Sequence, residues 1–312
     1  MNSRIVRFSV VICTYSLERL PDFIEAIESI KKQTYPFIEI VIVVDGNKEL
    51  YDTILNQFPD IKTKPVTNNY VQGSSIIHLN DKNVGLSKSR NVGAEIATGD
   101  VVVFIDDDAV ADPDWIARLA NLYIHDNAVA AGGKLIPLWL NGVSTFIPEE
   151  FWWLIGANPK GSPEKIVEVR NTYGSNISFS REVFLEVGGF NTEFGFNAGK
   201  GAVMQGEEAD LCNRIKKFTG ASVWYNPDAI VHHKVFKSRV VLKTLFRRAF
   251  WQGYSKRAIG ENTTDKLNQE AGFLKYVIFT GIPERIIQLF FLIAFTGTVG
   301  LGYLYRMLER KK

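Results

Sequence analysis

Four short apolar runs constrain this chain more than anything else in it. They read FSVVICTY (8–15), IEIVIVVDG (38–46), SSIIHLN (74–80) and DVVVFIDDD (100–108), with polar, helix-compatible sequence between them. A strand with one wet face alternates apolar and polar residues, whereas these runs are apolar nearly throughout, as strands covered on both faces must be. After the first run, Leu20, Ile24, Ile27 and Ile30 fall at helical spacing, with Pro21 near the start, Asp22 and Glu25 in the early turns and Lys31 and Lys32 at the end. That order of charge suits a helix dipole. GLSKSRNVGAEIATG (85–99) reads as another helix, ended by glycine. Strands alternating with helices predict an α/β fold, a mostly parallel sheet flanked by helices.

Such sheets bind ligands beyond the carboxyl ends of their strands. Polar residues gather there: Thr14 and Tyr15 after the first run, Asp45 after the second and Asp106 to Asp108 after the fourth. No GxGxxG follows the first strand, which argues against a dinucleotide dehydrogenase. Three adjacent carboxylates repel one another and gain nothing by burial, so a cation is expected among them. Strand alternation turns Asp106 and Asp108 to one side and Asp107 to the other. Two carboxylates converging at a strand end suit a hard divalent cation, Mg²⁺ or Mn²⁺, that also holds phosphate oxygens. The alternative is a solvated acidic turn, with Asp112 or Asp114 capping the next helix.

The chain has 312 residues, 46% of them apolar, enough for one large domain or two smaller ones. A formal charge of +2 argues against a nucleic-acid-binding surface. Cys13 and Cys212 are its cysteines, and no Cys/His cluster is closely spaced, so neither a disulfide framework nor a structural zinc site is expected. A reducing compartment fits. MNSRIVRFSVVICTY leads straight into strand-like sequence without a cleavage site, which places the strand-rich part in the cytoplasm. NIS at Asn176 and NTT at Asn262 match a glycosylation sequon by pattern alone.

Seven segments occur in order over about residues 8–240: VVICTY, VVDG, NVGLSKSRN, FIDDDA, YGSN, GEEADL and VHHKV. Together they resemble the inverting nucleotide-sugar glycosyltransferases of family 2, which have a GT-A nucleotide-sugar-binding fold. The resemblance implies that Thr14, Tyr15 and Asp45 face the nucleotide's base and ribose. Asp106 and Asp108 would be the DXD pair beside Asp107, with Asp108 holding the metal on the diphosphate. Asn83, Arg90 and Asn91 would brace that loop or face the diphosphate.

Acidic residues at a helix start, as in GEEADL, often serve only the dipole. Sugar transfer, however, needs a base for the acceptor hydroxyl and a metal for the departing diphosphate. The family's usual Glu-Asp pair is Glu207-Glu208 here, the second one methylene longer. The resemblance makes Glu208 the base and Glu207 a neighbouring acceptor-site residue, with Asp210 structural. His233 of AIVHHKV matches a family histidine that completes the metal or diphosphate site, and His232 would face away. In YGSN, Gly174 allows close backbone approach to a ligand, and the amide of Asn176 can bond sugar hydroxyls. Trp152 and Trp153 could stack on a sugar, touch lipid or fill a core.

The C-terminal third points to a membrane. RVVLKTLFRRAFWQGYSKRA (239–258) places Val241, Leu242, Leu245, Phe246, Ala249 and Phe250 on one stripe beside Lys243, Arg247, Arg248, Lys256 and Arg257. That is a basic amphipathic helix suited to an anionic surface. IIQLFFLIAFTGTVGLGYLY (286–305) is uncharged and long enough to span hydrocarbon. AGFLKYVIFTGI (271–282) is shorter, contains Lys275 and reads as interfacial or re-entrant. Basic residues flank the long segment on both sides, leaving a hairpin near Pro283 and a single span both open. The expected layout is a GT-A catalytic domain over 1–236, in halves 1–110 and 111–236. A basic helical segment would follow over 237–270 and a membrane-attachment segment over 271–312.

An anionic lipid-linked acceptor, a polyprenyl or dolichyl phosphate, fits that layout. FWWLIG, RNTYGSNISFSREVF and the hydrophobic tail are most similar to archaeal glucosyl-dolichyl phosphate glucuronosyltransferases. That resemblance implies a UDP-sugar donor, with Arg170, Arg181 or Lys200 as candidate partners of a donor carboxylate. A nucleotidyltransferase would need a glycine-rich basic N-terminal loop, which is missing. A processive synthase would need a QxxRW motif, and FWQGYSK lacks the arginine-tryptophan pair. A catalytically silent nucleotide-binding scaffold is opposed by the acids at 106, 108 and 208.

Overall fold

The computed structural model describes residues 5–63, 70–194, 206–259 and 286–309. Lys200, Asn262 and the segment 271–282 lie outside the described residues. The chain divides into two compact units: Met1–Ile136 with Pro163–Gly201 and Glu207–Lys234, and Pro137–Ser162 with Ala202–Gly206 and Val235–Lys312. Sequence reasoning assigned residues 137–162 to the catalytic domain's second half. They group instead with the C-terminal segment, because Ile147, Phe151, Leu154 and Ile155 share a core with Leu245, Ala249, Leu292 and Phe295.

The first unit carries the sheet. Four parallel strands, β1 (Phe8–Thr14), β2 (Ile38–Asp45), β3 (Ser75–Asn80) and β4 (Val101–Asp106), lie in the order β3-β2-β1-β4. Beyond β4 the sheet turns antiparallel. It continues through β8 (Ile177–Ser180), β6 (Ala130–Trp139), β9 (Val223–Val235) and β5 (Ala109–Ala111), and β7 (Val167–Val169) also pairs with β9. The sheet is therefore parallel only in the half formed by β1 to β4. Within 172–180, only Ile177–Ser180 of β8 is strand. Before it the chain turns, with the Asn176 N–H donating to Tyr173 O.

Both faces of the parallel half are covered, as continuous apolar strands require. Val10 and Ile12 of β1 point into one core, with Phe23, Ile27 and Ile30 of α1 (Leu20–Lys31) and Leu119 of α4 (Trp115–His125). Val11 and Cys13 point into the other, with Ala94 of α3 (Leu86–Ile96), Phe184 of α5 (Arg181–Glu186) and Leu211 and Ile215 of α6 (Glu207–Thr219). Full burial of a side chain such as Phe104 or Ile12 stabilises by about 1.5–3 kcal/mol. α2 (Lys48–Gln57) adds Leu50 and Ile54, and its N-cap Asn47 accepts from the Leu50 N–H.

The second unit holds a 3-10 turn (Glu149–Ile155), α7 (Leu242–Ile259) and α8 (Ile286–Glu309). Leu245 and Ala249 of α7 are buried, whereas Val241 and Leu242, read on the same stripe, are exposed. Trp152 packs edge-on against Trp139 at 6.2 Å and Trp153 against Phe151 at 5.7 Å, so both serve this unit's aromatic core.

Candidate active site

The parallel strands end level with one another: Cys13 pairs with Val43 on one side and with Asp106 on the other. Thr14, Asp45 and Asp106 therefore share one sheet edge. Asp106 closes β4 and the chain turns at once, which brings Asp108 back beside it. Across β5 and β9, Ala109 faces His233. The result is a cluster of Asp106, Asp108 and His233 with one ligand atom from each within 4.8 Å of the others. His233 Nε2 is 3.1 Å from Asp108 Oδ1 and 3.9 Å from Asp106 Oδ2. Two carboxylates and an imidazole at that spacing fit a divalent cation with coordination positions left for phosphate oxygens. Asp107 lies beside Thr14. Burial, and then the charge of Asp108, push its carboxyl up to about 7.

Two arginines flank the cluster. Arg19, which precedes α1, donates from Nη1 to Asp108 Oδ2 at 2.8 Å. Arg90 of α3 is buried and donates from Nη2 to Asp106 Oδ1 at 2.7 Å. Its Nη1 lies 3.6 Å from Glu207 Oε1. Burial opposes Arg90's charge, but Asp106, Glu207 and Glu208 more than offset that and raise its pKa. One guanidinium thus joins the aspartate cluster to the glutamate pair at the start of α6. Glu208 Oε1 accepts from the Gly174 N–H at 2.9 Å. Loss of solvent around Glu208 and repulsion from Glu207 push its carboxyl up to about 8, against Arg90 and that N–H.

A side chain at Gly174 would force two site residues to shift. A Cβ there would lie 2.5 Å from Glu208 Oε1 and 2.6 Å from Arg90 Nη1. Its backbone is pressed against two side chains of the site, a tighter use than ligand approach alone.

Several other sequence-selected residues spend their polar groups on the fold itself. Asp45 Oδ1 accepts from the Val84 N–H and Asn80 Nδ2, and Oδ2 from the Gly85 N–H, each at 2.9 Å. Its carboxylate is thus occupied in pinning the loop before α3. Asn83 sits exposed on that loop. Asn176 is fully buried, with Oδ1 accepting from Trp115 Nε1 and Nδ2 donating to Lys134 O and Ala229 O. Both its amide donors are taken, so it braces the sheet and has no donor left for a sugar hydroxyl. Asn91 likewise bonds Phe190 through both its O and N. Tyr15 is 52% exposed at the sheet edge, while Thr14 beside it is buried. His232 points away and bonds Asp112 Oδ1 at 2.8 Å. Asp210 bonds Arg214, and Arg181 spends its guanidinium on Ala94 O and Glu95 O at the end of α3.

Sequence reasoning missed Arg19 and the bridging geometry of Arg90. Nothing local marks Arg19, which reads as an ordinary charge at a helix start and acts on a residue 89 positions away. Ser175, whose Oγ accepts from the Asp106 N–H, was missed in the same way.

An Asp-Asp-His cluster that could hold a divalent cation, at the carboxyl edge of a half-parallel sheet and joined by an arginine to paired glutamates, sits in a GT-A-like fold. Residues 9–188 match the family model for Glycosyl transferase family 2, and the chain belongs to that family. It is 43% identical over 97% of its length to the glucosyl-dolichyl phosphate glucuronosyltransferase of Haloferax volcanii, covering 97% of that protein. A more distant relative is the succinoglycan biosynthesis protein ExoM of Rhizobium meliloti, at 24% identity over 81% of this chain and 75% of that protein. The fold is similar to that of the mannosyltransferase PcManGT from Pyrobaculum calidifontis, solved with GDP-Man and Mn²⁺. The TM-score is 0.61 at 18% identity, over 95% of this chain and 74% of that one. Staphylococcus aureus TarS 1-349 with UDP-GlcNAc gives a TM-score of 0.55 at 15% identity, over 94% and 81%. The protein is a glycosyltransferase.

Proposed function

We propose that the protein transfers a sugar, glucuronate first among the candidates, from a UDP-sugar to a polyprenyl- or dolichyl-phosphate-linked acceptor. It would invert the anomeric carbon and work on the cytoplasmic face of the membrane. The observation that carries this reading is the near end-to-end similarity to the Haloferax volcanii glucuronosyltransferase, which extends through the C-terminal segment beyond residues 9–188. In this reading Asp106, Asp108 and His233 hold Mg²⁺ or Mn²⁺, which when bound neutralises charge building on the departing diphosphate. Thr14 and Tyr15 lie at the edge where the nucleoside would rest.

Glu208 is the base. It takes the proton of the acceptor hydroxyl as that oxygen bonds to the anomeric carbon. The carbon–oxygen bond to the diphosphate breaks, and its electron pair leaves with the nucleoside diphosphate. The Gly174 N–H fixes the carboxylate, and the charge of Arg90 favours the ionised form of Glu208 against its burial. Arg170, exposed on the segment that leads to Gly174, is the cation proposed for a donor carboxylate, since Arg181 is committed to α3.

Membranes containing the protein, a divalent cation and radiolabelled UDP- and GDP-sugars test the reading. Label from UDP-glucuronate is expected in organic-extractable lipid, increased by added glycosylated dolichyl phosphate. Nucleoside diphosphate released alongside a soluble labelled saccharide would overturn the acceptor and retain the transferase.

A further inference from the structure

The C-terminal helix α8 has two distinct faces. Leu292, Phe295 and Gly302 turn inward, and Phe295 is fully buried. Phe290, Ile293, Leu301, Leu304, Tyr305 and Leu308 turn outward, at 49–65% exposure. The inward seam is occupied by the unit's own chain. Gln288 Nε2 donates to Thr145 O, Phe291 packs on Phe146 at 5.1 Å, and Phe295 packs on Phe151 at 5.5 Å. Further along, α7 runs parallel to α8: Phe246 meets Phe295, the Gly302 backbone presses on Phe250 O, and the Gly253 backbone presses on Val299 O. A Cβ at either glycine would lie within 2 Å of the facing carbonyl, at 1.9 Å and 1.8 Å respectively.

A spanning helix of this length would put its middle, near Phe295 and Val299, at the centre of the hydrocarbon. Two things would follow it there. Arg247, exposed and next to Phe246 on α7, would stand at that depth as a cation with no ion-pair partner among the described residues. The irregular backbone around Thr145 and Phe146 would enter lipid beside Gln288 and Phe291, where unsatisfied peptide groups are not tolerated. Lying along the interface avoids both conflicts. A helix in that position buries its apolar face at the headgroup–acyl boundary and keeps cations among headgroups. The chain around α7 supplies those cations: Lys237, Arg239, Lys243, Arg247, Arg248, Lys256 and Arg257 occur between 237 and 257 with no Asp or Glu. Leu140 and Val143, before the 3-10 turn, add exposed apolar surface at 46% and 64%.

We infer that α8 is an in-plane membrane anchor whose outward face rests in one leaflet of an anionic bilayer. The inference rests on the membrane attachment proposed above, and it replaces a spanning helix with a monotopic one.

The test uses the full chain in vesicles of phosphatidylcholine with an anionic lipid. Single cysteines introduced as Phe290→Cys, Ile293→Cys, Leu301→Cys, Leu304→Cys and Leu308→Cys are spin-labelled, since native Cys13 and Cys212 are buried. Relative accessibility to oxygen and to a nickel chelate gives each label's depth. One common shallow depth at all five sites is the expected result. Binding should also fall roughly fivefold for each of Lys243→Gln and Arg247→Gln, and equally with added salt. A profile deepest near 301 with ends on opposite sides would overturn the inference in favour of a span. Labels open to the chelate throughout, or closed to both reagents, would overturn it in favour of water or of protein, including a second copy, against that face. Lipid transfer measured on the same vesicles separates these failures from failure of the acceptor reading.

Discussion

Replacing Arg90 by methionine removes the guanidinium that bonds Asp106 and lies 3.6 Å from Glu207. Methionine fills much of the aliphatic volume, so the main loss is charge. Three carboxyl groups, on Asp106, Glu207 and Glu208, would then face one another without that cation. Breaking a buried ion pair on one side costs about 3–5 kcal/mol. For a unit of this size that corresponds to a melting temperature lower by roughly 6–20 °C. The deficit should also depend on pH. Glu208 already has its pKa raised in the folded state, so the stability it allows is highest in acid and falls as pH rises through about 8. Without Arg90 that pKa rises further. The variant's deficit relative to the wild type should therefore be nearly constant below about pH 7 and grow as pH rises above about 8. Thermal unfolding in detergent at about pH 6 and about pH 9, followed by tryptophan fluorescence, reads this directly. A deficit below about 1 kcal/mol, or one that does not change with pH, would refute the bridging role.

Further outcomes follow from the same site. Arg19→Met should raise divalent-cation affinity in the nucleotide-free protein roughly tenfold, because the guanidinium now bonded to Asp108 competes for that carboxylate. Titration with Mn²⁺ followed by its paramagnetic signal checks this, and an unchanged affinity contradicts it. Asp108→Ala should abolish metal-dependent donor binding, whereas Glu208→Gln should keep donor binding and lose transfer. Normal transfer by Glu208→Gln would remove that residue as base. In the wild type kcat/KM should fall as pH drops below the pKa of Glu208, since the base must be ionised, and a flat profile would count against it. Gly174→Ala should displace Glu208 and Arg90 by the overlap at 2.5 Å and 2.6 Å, lowering kcat about 100-fold with donor affinity retained.

The α/β class could be read from β1, β2 and β4 because burial on both faces leaves a local record, an unbroken apolar run. The position of the site could be read for the same reason: polarity resumes where such a run ends, at Thr14, Asp45 and Asp106. The antiparallel half was harder to read. Its strands are short or mixed, and β8 is strand only over Ile177–Ser180 because Tyr173 and Asn176 close a turn before it. Nor does residue type reveal how a side chain's bonding capacity is used. Asn176 reads as a sugar contact from its amide, yet Trp115, Lys134 and Ala229 take up that amide.

Sequence by itself thus determined the family, the order of elements along the parallel half and the aspartates that end β4, since each is written in neighbouring residues. Tertiary structure alone decided that Arg19 sits on Asp108, that Arg90 joins Asp106 to Glu207, and that residues 137–162 pack with α7 and α8. Those pairings span 16 residues at the least and 89 between Arg19 and Asp108. Charge and burial acting through space select them, and no local pattern of residues has to record the outcome.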